Sequence, residues 1–182
     1  MKIIAIGHQK GVGKSTLAKF LVTELRVRNK GFKIGKLSFA DEVKNISHQL
    51  FSWTGLKSGQ YYENHYDEKE TPLNFDFTPR DIWIAVGNKM REIHPNVWIE
   101  AAFHNCDYDI VIIPDLRFKN EAIWLENHGA CLVKIHRDMP RGADPAEIDL
   151  LDWKNWCMEI NNKRSLQDLY KEAQKIADYL EN

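Results

Sequence analysis

The chain has 182 residues, 25 basic against 26 acidic, and a formal charge of −1, the size and balance of one soluble domain. A 43% apolar share with 20 aromatic residues speaks against intrinsic disorder, and the longest aliphatic run, Ile110 to Ile113, is far shorter than the roughly 18–20 residues of a membrane-spanning helix. Residues 1–60 hold 11 basic and 3 acidic side chains, which points to an anionic ligand in the first third.

Lys2–Ile6 reads as a buried strand ending in Gly7, without the apolar core and cleavage site of a secretory signal. A helix follows, with Leu17, Phe20, Leu21 and Leu25 on one face and Asn29-Lys30-Gly31 closing it. A second strand, Lys33 to Ser38, leads to a helix over Asp41–Phe51, where Val43, Ile46 and Leu50 keep helical spacing. From Ser52 to Thr78 the pattern dissolves while Tyr61, Tyr62, Tyr66, Phe75 and Phe77 recur, so a lid or substrate-handling insertion is expected over about residues 52–78.

Helices are predicted over Pro79–Glu92 and Asn96–Asn105, with Pro95 as a first-turn proline, and Trp53, Trp83 and Trp98 read as core. Asp109–Pro114 and Cys131–His136 read as buried strands joined by a helix over Phe118–Asn127. A last strand near Trp156–Ile160 precedes a helix from Ser165, with Asp168 in capping-box position. Alternating strands and helices predict an α/β fold: one mostly parallel, five-stranded sheet in three layers, formed by a single domain over residues 1–182. Cys106, Cys131 and Cys157 form no C-x-x-C pair, which suits a reduced, cytoplasmic setting; His94, His104 and Cys106 lack zinc-site spacing.

The strongest chemical signal is Gly7-His8-Gln9-Lys10-Gly11-Val12-Gly13-Lys14-Ser15-Thr16, between the first strand and first helix. Gly11 and Gly13 let successive backbone N–H groups face one anion, and the positive end of the helix adds to that field. Residues Gly11, Val12, Gly13, Lys14, Ser15 and Thr16 are thus the expected ATP-phosphate cradle, with Lys14 on the β- and γ-phosphates and the Ser15 hydroxyl on magnesium. The pattern G-x-x-x-x-G-K-S/T asks for glycine at position 8; this chain has His8 there, so a differently built turn is expected. No N-K-x-D or T-K-x-D run supports a guanine-specific GTPase, and Gln9 stands where partition-type ATPases carry their signature lysine.

Phosphoryl transfer between nucleotides needs cations around both phosphate chains. Asp115, after the third strand, could hold Mg²⁺ beside Ser15, and Arg117 lies two residues on. Arg80, Arg91 and Arg137 fall beside loops or element ends, and arginine's planar fork suits phosphate, although each would serve equally in a surface ion pair.

Together these motifs resemble the bacteriophage-type deoxynucleoside monophosphate kinases of the P-loop kinase class. Ser38-Phe39-Ala40-Asp41-Glu42-Val43-Lys44 is similar to that family's Phe-Ala-Asp segment, which implies places near the acceptor nucleotide for Phe39, Asp41 and Lys44. Tyr66-Asp67-Glu68-Lys69-Glu70 followed by Thr78-Pro79-Arg80 resembles its lid-side stretch and points to Lys69 and Arg80. Gly87 to Arg91 and His94-Pro95-Asn96-Val97-Trp98 are similar to its glycine, arginine and H-P-x-x-W run. Pro114-Asp115-Leu116-Arg117-Phe118-Lys119-Asn120-Glu121-Ala122 resembles its D-x-R-F-x-N-E-A signature, implying acceptor-site roles for Asp115, Arg117, Asn120 and Glu121. Arg137, Asp144 and Glu147 resemble its R…D-x-x-x-E stretch, without the usual preceding histidine.

The resemblance implies a nucleoside monophosphate kinase-like fold and the reaction ATP + dNMP → ADP + dNDP. Lys14, Asp115, Arg117, Arg80 and Arg137 would be catalytic, with ATP and Mg²⁺ as cofactors, nucleotides as partners and no stable nucleic-acid partner; a homodimer stays open. The alternatives are a P-loop kinase of another small metabolite or of a hydroxylated base in DNA, and a partition-type ATPase switch.

Overall fold

In the computed structural model, which describes residues 1–138, 148–163 and 165–181, the apolar run at the start of the chain forms β1 (Lys2–Gly7). The chain divides into two units, Met1–Ser38 with Cys106–Asn182, and Phe39–Asn105. In the first, β1 is the central strand of a five-stranded sheet of order β2-β3-β1-β4-β5, with β2 at Ile34–Lys36, β3 at Ile110–Leu116, β4 at Cys131–His136 and β5 at Met158–Asn161. Every pairing is parallel, as the alternation of strands and helices predicts.

Period-two alternation explains how the sheet is buried on both faces. Ile4, Ile6, Ile110, Ile112, Val133 and Ile135 meet Leu17, Leu21 and Leu25 of α1 (Lys14–Arg28) and Leu169, Ala173, Ile176 and Ala177 of α7 (Leu166–Glu181). The intervening Ile3, Ala5, Val111, Ile113 and Leu132 are equally buried on the opposite face, and α6 (Lys119–Asn127) packs along β4 with Ala122 and Leu125 buried. Burying each Leu or Ile stabilises the fold by roughly 1.5–3 kcal/mol, so Leu21→Ala is a core-breaking change. Ser165 and Asp168 cap α7 reciprocally, the hydroxyl accepting the Asp168 N–H at 3.2 Å.

A proline in a central strand cannot donate to the ladder, and the register shows how the sheet absorbs it. Ala5 pairs with Ile113 but Gly7 pairs with Leu116, so β3 carries one extra residue across Pro114-Asp115. This bulge keeps Asp115 inside β3 rather than after it, correcting the sequence reading, and sets the carboxylate at the strand's carboxyl end.

The second unit consists of α2 (Phe39–Phe51), a 3₁₀ turn at Ser52–Thr54, α3 (Gly59–Asn64), a 3₁₀ turn at Tyr66–Glu70, α4 (Pro79–Ile93) and α5 (Val97–His104). Residues 52–78 are not patternless: Leu56 and Tyr62 are buried with Ile82, surrounded by Phe51, Tyr61, Leu73, Phe75, Trp83 and Val86. Thr78 and Asp81 form the capping box of α4, which places Pro79 at its first turn. Two readings are corrected. Pro95 precedes the Asn96 cap of α5 instead of opening the helix, and Trp53 is 77% exposed and stacked on Phe75 rather than in the core. Trp98 is buried, its indole N–H donating to the Gly87 carbonyl at 3.0 Å. Among the described residues no helix is long and apolar enough to cross a membrane.

Candidate active site

The carboxyl ends of β1 to β5 gather the chemistry of the first unit. Beyond β1 the chain turns through Gly11 (φ +79) and Gly13 (φ +106), and Gly13 caps α1 in the left-handed region. His8 has φ +99, so it adopts the left-handed turn that glycine would supply at that position. His8, a residue with a Cβ, therefore carries the strain of a backbone conformation that glycine adopts freely. Gly7 is required for another reason, since a Cβ there would lie 2.8 Å from the Trp156 ring and 3.3 Å from Leu116.

Lys14 is 8% exposed, and its ammonium donates to the carbonyls of His8, at 2.7 Å, and Gln9. Gly11 and Ser15 are exposed, Val12 is buried, and Gly13 and Thr16 are half-buried. The loop thus exposes Gly11 and Ser15 while Val12 anchors it to the core.

Ser38, beyond β2, donates its hydroxyl to the Asp115 carboxylate at 2.8 Å. Parallel pairing of Gly7 with Leu116 sets Asp115 beside the start of the phosphate loop. Ser15 and Asp115 offer hard oxygen donors, the kind magnesium takes along with water and phosphate. Among the described residues no group of three or more His, Cys, Asp or Glu could hold a metal ion.

Arg117 is half-buried between β3 and α6, as is Asn120 in the first turn of α6. Glu121 is 2% exposed, and its carboxylate accepts the N–H groups of Arg117 at 3.0 Å and Phe118 at 3.1 Å. The geometry makes it a capping group that fixes the Arg117 backbone. Asp149 completes this cap by accepting the Lys119 N–H at 2.6 Å, a contact no sequence signal announced. Arg137 is exposed just beyond β4; Asp144 and Glu147 lie outside the described residues.

The second unit brings Lys44 of α2, Lys69 of the second 3₁₀ turn and Arg80 of α4 into one electrostatic group. Burial lowers the Lys69 pKa below the ordinary lysine value, and repulsion from Lys44 and Arg80 lowers it further, against attraction from Tyr66 and Glu63. Lys69 also lies 4.2 Å from the Tyr66 ring centre. Lys44 is paired with Asp41 at 3.1 Å and its stem packs on Gly59, while Arg80 meets Glu70 at 2.5 Å. Arg91 lies over Gly87, where a Cβ would come within 3.3 Å of its guanidinium, and Phe39 is buried at the start of α2.

No protein-family model matches the chain. A protein of Acanthamoeba polyphaga mimivirus named "Putative deoxynucleotide monophosphate kinase" is 28% identical over 198 aligned positions, covering 98% of this chain and 97% of that protein. An APS kinase of Mycobacterium tuberculosis matches with 17% identity and a TM-score of 0.47 over 100% of this chain and 98% of its own. A shikimate kinase of Aquifex aeolicus matches with 16% identity and a TM-score of 0.42 over 98% and 97%. The resemblance to P-loop deoxynucleoside monophosphate kinases carried by the motifs is thus matched by a sequence likeness along nearly the whole chain, to a protein of mimivirus rather than of a bacteriophage.

Proposed function

We propose that the chain is a deoxynucleoside monophosphate kinase transferring the γ-phosphoryl group of ATP to a dNMP. The observation that carries this reading is a second set of cations, Lys44, Lys69 and Arg80, in addition to a phosphate loop; burial lowers the Lys69 pKa, and repulsion from Lys44 and Arg80 adds to it. A nucleotide switch needs one phosphate site; a nucleotide kinase needs two. The full-length likeness to the mimivirus protein supports the same substrate class.

Lys14 and the N–H groups of Gly11 to Ser15 would hold the donor β- and γ-phosphates. Ser15 and Asp115 would hold Mg²⁺, which when bound supplies charge neutralisation at the transferring group. In the first unit Arg117, Arg137 and Asn120, and in the second unit Arg80, Lys69, Lys44, Asp41 and Arg91, are the residues that the motifs assign to the acceptor nucleotide. A phosphate oxygen of the dNMP forms the new bond to the γ-phosphorus as the bond to the ADP oxygen breaks. Because that nucleophile is already ionised, no general base is needed, and the protein's part is alignment and charge neutralisation. Residues 52–78 would close as a lid and exclude water as a competing acceptor.

An ADP-release assay across dNMPs, NMPs, monophosphates with bases modified at the pyrimidine 5-position, and oligonucleotides tests the proposal. ADP release stimulated by one or more dNMPs is the expected result. Slow hydrolysis indifferent to every acceptor, or activity on DNA alone, would sink it.

A further inference from the structure

Asn162 belongs to none of the candidate sets read from the sequence, yet it touches the phosphate loop directly. It follows β5, its backbone N–H donates to the His136 carbonyl at 2.8 Å, and its side-chain amide donates to the Val12 carbonyl at 2.8 Å. The same amide nitrogen would lie 2.5 Å from a Cβ at Gly13. Glycine at 13 is therefore demanded twice, by its φ of +106 and by the side chain occupying the space a Cβ would need.

A planar trans peptide points its carbonyl and its N–H in opposite directions. Tying the Val12 oxygen to Asn162 turns the Gly13 N–H away from β5, toward the open side of the loop. Without that tie the Val12–Gly13 peptide is free to rotate, since two glycines in the loop resist rotation weakly. We infer that Asn162 is a positioning residue for the donor phosphates: its amide commits the Gly13 N–H to an oxyanion before the nucleotide arrives. The inference rests on the loop's being the donor site. Trp156, at the other end of β5, packs its ring against Gly7, so the strand and its flanks brace the loop where it begins and where it enters α1.

Calorimetry on the full chain with inorganic tripolyphosphate and with MgATP, comparing wild type, Asn162→Ala, Asn162→Asp and Asn162→Ser, tests this. Asn162→Ala is expected to weaken both ligands about ten-fold, as for one lost orienting hydrogen bond. Asn162→Asp should weaken them further, because a carboxylate cannot donate to the Val12 oxygen and repels phosphate. Asn162→Ser, which keeps a donor, should fall between wild type and Asn162→Ala. In steady state the KM for ATP should rise with the acceptor KM unchanged. Wild-type affinity in Asn162→Ala, even with a lower Tm, would overturn the inference and leave the donor site standing. If Asn162→Ala does not fold, Asn162→Ser binding no tighter than Asn162→Asp overturns it. A wild type that binds neither ligand would instead remove the donor site, and the brace with it.

Discussion

The Lys14 ammonium donates to the carbonyl of His8 at 2.7 Å, so the cation of the phosphate loop is anchored on the residue that carries its strained turn. Charge and backbone geometry in this loop are one device: the turn that sets the His8 carbonyl toward Lys14 also orients the N–H groups that follow.

Lys14→Ala is expected to lower transfer by about 10³-fold, the scale of removing a cation aimed at developing phosphate charge. Lys14 is buried and its ammonium satisfies the His8 and Gln9 carbonyls, so stability should also fall, by about 1–3 kcal/mol, with the fold retained. Turnover at the wild-type rate would remove the central claim.

The left-handed turn at His8 costs of order 1–3 kcal/mol for a residue with a Cβ. Asparagine aside, only glycine relieves that, so His8→Gly should be more stable than His8→Ala by about 1 kcal/mol, after the extra chain entropy of glycine is subtracted. Thermal melts of the two variants decide the point; equal Tm values would mean the turn is not strained.

Lys69 gives the acceptor site a pH dependence of defined sign. Burial, Lys44 and Arg80 disfavour its charged form, and a bound phosphate favours it, so acceptor binding takes up a proton. Affinity should be full below the lowered pKa and fall as pH rises through it, beginning under the ordinary lysine range. Acceptor KM from about pH 7 to 10 should therefore rise in wild type and stay nearly flat in Lys69→Arg, whose guanidinium does not titrate there. A wild-type profile that is flat across this range would remove Lys69 from the acceptor site.

Glu121 and Arg117, four residues apart, should separate stability from binding. Glu121→Ala leaves two N–H groups without their carboxylate and should cost about 2–3 kcal/mol in denaturant unfolding. Arg117→Ala should leave stability nearly unchanged while raising the KM for dNMP much more than that for ATP. Equal losses for both substrates would place Arg117 on the donor side instead.

Where an element is built from fifteen consecutive residues, local pattern made it legible. The strand, glycines and lysine from Lys2 to Thr16 are contiguous, and a helix following a buried strand leaves little choice of geometry. Glu121 was legible only in part: its motif pointed to the acceptor, and its capping of Arg117 and Phe118 is visible only in the fold. Trp53 misled because helical spacing does not say which face meets the core.

By itself the sequence determined the α/β class, the phosphate loop and the acidic and basic residues at strand ends, because periodicity and turn chemistry are local. Tertiary structure decided which distant residues meet. Asn162 lies 150 residues from Val12 and Asp149 lies 30 from Lys119, and parallel strands are joined by crossovers whose lengths carry no register signal. The bulge at Pro114-Asp115 is likewise a property of the β1–β3 register, and it sets Asp115 beside the loop that the sequence had already announced.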